Sequence, residues 1–199
     1  MFYVIGGASR SGKSTLAGKL KRQEGISSFS TDYLMGAFHH GLPELGIRYE
    51  TDRMEKCLRI WPFIKALIAV TEMNETGYVL EGDLLLPRLV ASLQKEYPEK
   101  IATCFIGYPD ACPQQRLGMI RANPDKVNPW ICRESDEYIL GHIRREIEFS
   151  RMIREDCQRH GMKFFDTSLH FNSVVDDALL YLRKPLNLPS SITPAFGMH

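Results

Sequence analysis

Short apolar runs that stop at glycine or at small polar residues recur along the chain, and most stretches between them carry apolar residues at helical spacing. Residues 2–5 are an unbroken, partly β-branched run ending at Gly6-Gly7, as expected of a buried parallel strand. Runs at 26–30, 78–80, 101–106 and 163–165 predict four more strands. They end in Thr31-Asp32, Glu81-Gly82-Asp83, Gly107-Tyr108-Pro109 and Asp166-Thr167-Ser168. Leu16, Ala17 and Leu20 give one apolar face to a helix over 13–24, which Gly25 closes. Residues 114–121 read as a helix, and 173–182 as a last amphipathic one. Ile139, Ile143, Ile147 and Ile153 set a helical repeat over 135–160 that ends at Gly161.

Residues 33–76 are less regular. A Gly/His/Pro stretch runs to Gly46, followed by a largely helical segment broken or kinked at Pro62, in which Trp61, Ile64, Leu67 and Ile68 are spaced for core packing. Residues 123–129 read as irregular. Five strands alternating with helices predict an α/β three-layer sandwich: a five-stranded parallel sheet covered on both faces through right-handed crossovers. One domain is expected over 1–184, with an insertion at 33–76 and a poorly ordered or draped tail at 185–199 marked by Pro185, Pro189 and Pro194. Ligands of such sheets collect at the carboxyl ends of the strands. That rule gathers residues 7–14, Asp32, Glu81, Asp83, Tyr108 and Asp166 along one edge.

Composition narrows the partners. With 199 residues and 44% apolar content the chain can bury one substantial core. Its 25 basic against 24 acidic residues leave +1, which argues against a nucleic-acid polymer or an anionic membrane as partner. Five cysteines without C-x-x-C spacing suggest reduced thiols and a cytoplasmic protein, and no stretch reads as a leader or a membrane span. Monomer and homodimer both stay open.

Gly7-Ala8-Ser9-Arg10-Ser11-Gly12-Lys13-Ser14 fits G-x-x-x-x-G-K-[ST] and lies between a predicted strand and a predicted helix. Its glycines let successive N–H groups turn toward phosphate oxygens, and the helix N-terminus adds partial positive charge. Lys13 can reach the β- and γ-phosphates of ATP, and the Ser14 hydroxyl, followed by Thr15, can ligate Mg²⁺. No N-K-x-D sequence and no D-x-x-G after the third strand support a GTPase, so a small-molecule or nucleotide kinase is expected.

Asp32 can take the proton of an acceptor hydroxyl or hold a metal-bound water, unless it merely caps a helix beginning at Tyr33. Glu81 is preferred to Asp83 as the acid that orients Mg²⁺ or contacts substrate, with Gly82 allowing close approach of a ligand. Eight of the 15 arginines lie between Arg116 and Arg159. Helix pairing with Glu148 and Glu155 accounts for Arg144, Arg151 and Arg159. Arg116, Arg121 and Arg133 are the candidates to reach the phosphates, with Arg144 next. His39 and His40 suggest a surface loop more than a metal site. Tyr33, Phe38 and Tyr49 are available to stack a base if the acceptor is a nucleoside.

The P-loop followed by Ser14-Thr15, the Ser30-Thr31-Asp32 strand end and Val79-Leu80-Glu81-Gly82-Asp83-Leu84-Leu85-Leu86-Pro87 resemble the 2-phosphoglycerate-kinase-like branch of the nucleoside monophosphate kinase superfamily. The resemblance implies an acceptor-binding insertion at 33–76 with Asp32, Tyr33, Glu81 and Asp83 near the acceptor. It also implies an arginine-bearing lid at 109–137, and adenine near 166–169, hence Asp166 and Ser168 as ATP contacts. A kinase acting on the hydroxyl of a small molecule such as a phosphorylated acid, a nucleoside or nucleotide kinase, and a nucleotide-binding switch are the three readings this leaves.

Overall fold

The computed structural model describes residues 1–73, 77–122, 131 and 133–184, so the expectations for 123–129 and for the tail at 185–199 lie outside the described residues. Strands β1 (Phe2–Gly7), β2 (Ser27–Ser30), β3 (Tyr78–Gly82), β4 (Ile101–Gly107) and β5 (Phe164–Asp166) form one parallel sheet in the order β2-β3-β1-β4-β5. β1 is central, pairing Phe2 with Tyr78 on one side and with Ile101 on the other. A strand hidden on both faces has no reason to alternate polar and apolar residues, which is why β1 reads as an unbroken apolar run. The edge strand β2 is Ser-rich and partly exposed.

Seven α-helices are described: α1 (Lys13–Glu24), α2 (Thr31–Gly41), α3 (Arg53–Met73), α4 (Pro87–Glu96), α5 (Pro113–Ala122), α6 (Asp136–His160) and α7 (Phe171–Leu182). Alternate strand residues feed two cores. Ile5, Val79, Cys104 and Ile106 pack with Leu16 and Leu20 of α1 and Val175 and Leu179 of α7. Val4, Leu80 and Phe105 point the other way, onto Ile60 and Ile64 of α3, Val90 of α4 and Ile143 and Ile147 of α6. The period-two alternation of the strands therefore makes the three layers.

Four local readings change or narrow. α2 is a regular helix where the pattern is irregular, and it begins at Thr31, because the Ser30 hydroxyl caps it by accepting the Asp32 N–H at 3.2 Å. α3 runs unbroken through Pro62. Proline cannot bond the carbonyl of Leu58, but Leu58 and Pro62 both lie on the exposed side, where water can serve that carbonyl. α4 has no counterpart among the predicted elements, although Pro87 at its first turn and the buried Val90, Ala91 and Leu93 are its signature. His39 and His40 fall in the last turn of α2, not in a loop, and His39 Nδ1 accepts the Tyr49 N–H at 3.3 Å. Among the described residues no helix is long and apolar enough to cross a membrane. Among the described residues four cysteines are free thiols, and burial pushes those of Cys57 and Cys157 up to about 12.

Candidate active site

The phosphate loop leaves β1 and enters α1 through three residues at positive φ: Gly7 at 134°, Arg10 at 61° and Gly12 at 112°. Gly7 is obligatory, since a Cβ there would sit 1.8 Å from the Ile106 carbonyl oxygen. Four successive carbonyls of the loop are each held by a side chain. Ala8 accepts from Lys13 Nζ at 2.6 Å and Ser9 from the Tyr108 hydroxyl at 2.9 Å. Arg10 accepts from the Arg116 guanidinium at 2.9 Å and Ser11 from the Thr167 hydroxyl at 3.1 Å. Anchoring those carbonyls fixes the peptide planes, so the loop's curl is set before any anion arrives.

The strand ends bring a set of carboxylates beside this loop. β2 pairs with β3, Ser30 lying opposite Glu81, so Asp32 in the first turn of α2 comes within electrostatic reach of Asp83, Lys13 and Glu81 at the same strand ends. The Ser14 hydroxyl donates to Glu81 Oε1 at 3.1 Å. Asp32 is exposed, yet its carboxyl is pushed up to about 6, first by lost hydration and then by the negative charges of Asp83 and Glu81, which outweigh the pull of Lys13. The helix cap is Ser30, so Asp32 is not the capping residue. Gly82 serves packing and not ligand approach: a Cβ there would lie 1.7 Å from Thr31 Oγ1, which shows how tightly α2 sits on β3.

The arginines separate into different jobs. Arg116 is buried, donates to the carbonyls of Arg10 and Thr167 and lies 3.7 Å over the Tyr108 ring. It thus clamps the phosphate loop to the loop after β5. Arg121 is bound to Asp136 at 2.6 Å and to the Glu134 carbonyl at 2.7 Å, tying the end of α5 to the start of α6. Neither is held by an acid of its own helix: the partners are backbone carbonyls and, for Arg121, Asp136 of the next helix. Arg133 and Arg144 are exposed. Arg151 pairs with Glu148 at 2.5 Å and not with Glu155. Asp166 accepts the Ser168 N–H at 2.8 Å, and the Ser168 hydroxyl accepts the Asp110 N–H at 3.1 Å, closing the turn after β5.

The expected aromatic stacking trio is not assembled. Phe38 is buried, its ring 4.5 Å from Phe63, and Tyr49 lies 4.3 Å from the His39 ring. Tyr33 and Tyr49 are both exposed, at 72% and 50%, and only Phe38 is withdrawn into the core.

Two residues escaped the sequence reading. Glu146, in the middle of α6, is fully buried and accepts the Ser9 N–H at 2.9 Å. Arg53, the first residue of α3, binds both of its oxygens. Burial pushes the Glu146 carboxyl up, but the Arg53 bonds, the Arg53 charge and the Ser9 N–H outweigh it and hold the group below its usual value. The signal available in sequence was a single acid on the isoleucine face of a helix, which spacing alone cannot connect to a partner 93 residues away.

This fold is shared with kinases of small molecules. A shikimate kinase from Bacteroides thetaiotaomicron superposes with a TM-score of 0.53 at 16% identity, covering 94% of this chain and 99% of that one. A gluconokinase from Sinorhizobium meliloti 1021 gives 0.52 at 17% identity, with 91% and 90% covered. A shikimate kinase from Aquifex aeolicus gives 0.51 at 20%, with 92% and 96% covered. The sequence matches no protein-family model and no curated protein. The chain therefore has the fold of the P-loop small-molecule kinases. These likenesses do not single out the 2-phosphoglycerate-kinase-like branch.

Proposed function

We propose that the protein transfers the γ-phosphoryl group of ATP to a hydroxyl of a small molecule, with Asp32 as the base. The observation that carries this is the placement of Asp32 at the strand ends beside Glu81 and an already anchored phosphate loop, with its carboxyl raised to about 6. A base must be ionised at the working pH and still hold a proton as the reaction proceeds, and a value near 6 meets both demands.

In this reading the loop amides and Lys13 receive the β- and γ-phosphates. Lys13 exchanges its bond to the Ala8 carbonyl for phosphate oxygen. Asp32 orients the acceptor hydroxyl and accepts its proton as that oxygen bonds the γ-phosphorus and the bond from phosphorus to the β–γ bridging oxygen breaks, releasing ADP. Exposed Arg133 and Arg144 are the candidates left to approach the phosphates, with Arg116 and Arg121 occupied where they stand. Asp166 and Ser168 border the side proposed for adenine.

Mg²⁺ fits the donors present. Asp32, Glu81 and Asp83 lie at the same strand ends, where Lys13 is the cation acting on Asp32, and the Ser14 hydroxyl is already aimed at Glu81. Among the described residues no three His, Cys, Asp or Glu side chains are grouped to cage a metal. In this proposal the ion would be held by Ser14, with Glu81 reached through water, and by substrate oxygens. When bound, the ion would neutralise charge on the transferring phosphoryl group.

Tyr33, Glu81 and Asp83 face the acceptor in this proposal. The dispersal of Phe38 and Tyr49 favours an acceptor without a nucleobase, such as a hydroxy acid or its phosphate. ADP release screened against hydroxy acids, phosphorylated acids, sugars and nucleosides tests the proposal. Acceptor-dependent ADP from one of the first three classes is expected, and Lys13→Ala should abolish it while leaving the fold intact. ADP released at the same rate without any acceptor would overturn the reading in favour of a nucleotide switch.

A further inference from the structure

The contact between Glu146 and the phosphate loop runs against simple electrostatics. A carboxylate hydrogen-bonded to Ser9 N–H, 2.9 Å away, sits against the loop that is to receive a polyanion. Full burial denies it water, so its charge is weakened only by protein groups. Arg53 answers that need: it engages both carboxylate oxygens, with the Nη1 bond to Oε2 at 3.1 Å. Phe149, one helical turn on from Glu146, lies under the guanidinium, its ring centroid 4.2 Å from the Arg53 Cζ. Arg10, His142 and Tyr108 also lie in this field, and Arg53 is bonded to both carboxylate oxygens.

We infer that Arg53 and Glu146 form a positioning pair for the nucleotide site: Glu146 fixes the phosphate loop through Ser9, and Arg53 cancels the charge that would otherwise repel the phosphates. Because Arg53 opens α3, and Asp83 acts on it, the pair also joins the acceptor side of the molecule to the phosphate loop. The inference rests on the reading that this loop binds ATP.

The test is ADP affinity by calorimetry, for which the acceptor need not be known. Arg53→Met keeps an apolar stem over Phe149 but strands the carboxylate, and ADP affinity should drop about tenfold, as a coupling between neighbouring sites of ordinary strength would give. Adding Glu146→Gln removes the stranded charge and leaves an amide oxygen for Ser9, so the double variant should bind ADP better than Arg53→Met alone. Glu146→Gln by itself leaves the Arg53 charge uncancelled beside the loop and should bind ADP more tightly than wild type. A purely structural role predicts the reverse ordering, with the double variant worst. Undiminished binding by Arg53→Met, no recovery in the double variant, or no gain in Glu146→Gln would each overturn the inference. Should Arg53→Met fail to fold by circular dichroism, the Glu146→Gln affinity alone decides. Wild-type protein that binds no ADP would instead sink the nucleotide reading beneath it.

Discussion

Replacing Asp32 by asparagine should make the protein more stable and nearly inactive at once. The carboxyl is raised from 3.8 to about 6 in the fold. A shift of this size in an enclosed group corresponds to roughly 3 kcal/mol. Asp32 is exposed, so solvent screening reduces this to about 1 kcal/mol. A folded value above the unfolded one means that protonation favours the native state. The stability tied to this group is therefore complete below about pH 4 and is lost as pH rises through about 6.

Asparagine cannot ionise and escapes that loss. Asp32→Asn should thus raise Tm by about 3 °C at pH 8 and leave it unchanged near pH 4, read by thermal unfolding at both. In an ADP-release assay with the acceptor the screen yields, kcat should fall by about 10²–10⁴. Wild-type kcat/KM should climb tenfold per pH unit below about 6 and level off above it. A lower Tm at pH 8, or an unchanged kcat, would refute the assignment, since both are what a residue serving only the helix would give.

The packing around the site yields further expectations. Ser30→Ala removes the hydroxyl that caps α2 and should cost about 1 kcal/mol in chemical denaturation; no loss would mean the cap contributes nothing. Arg116→Met leaves the Arg10 and Thr167 carbonyls without their donor, and should destabilise the fold by about 2–3 kcal/mol and weaken ADP binding. A stability loss with intact ADP affinity would show that the clamp does not shape the phosphate loop. Gly82→Ala drives a methyl group into Thr31 Oγ1 and should cost about 1–3 kcal/mol, of which adding Thr31→Ala should return only a part, because the Cβ that alanine keeps is still 2.7 Å away. Failure of the second substitution to restore any stability would locate the strain elsewhere.

Much of this molecule is written in local patterns. The strand runs, the P-loop with its flanking strand and helix, the closing glycines at Gly25 and Gly161 and the buried isoleucines of α6 all follow from neighbours within about two helical turns, so sequence alone determines them. Asp32 and Glu81 were legible as strand-end acids because residues at the carboxyl ends of a parallel sheet must share one edge. Tertiary structure decided the rest. The pairing of β2 with β3 brought the acids together, and the burial of Glu146 made it a partner of Ser9 and Arg53. It also turned Arg116 inward to two carbonyls and handed Arg121 to Asp136. An arginine's reach exceeds the spacing over which sequence patterns constrain its neighbours, and its charge can be satisfied by any carbonyl or carboxylate the fold delivers. Where a charged side chain points is therefore decided only once the layers have closed around it.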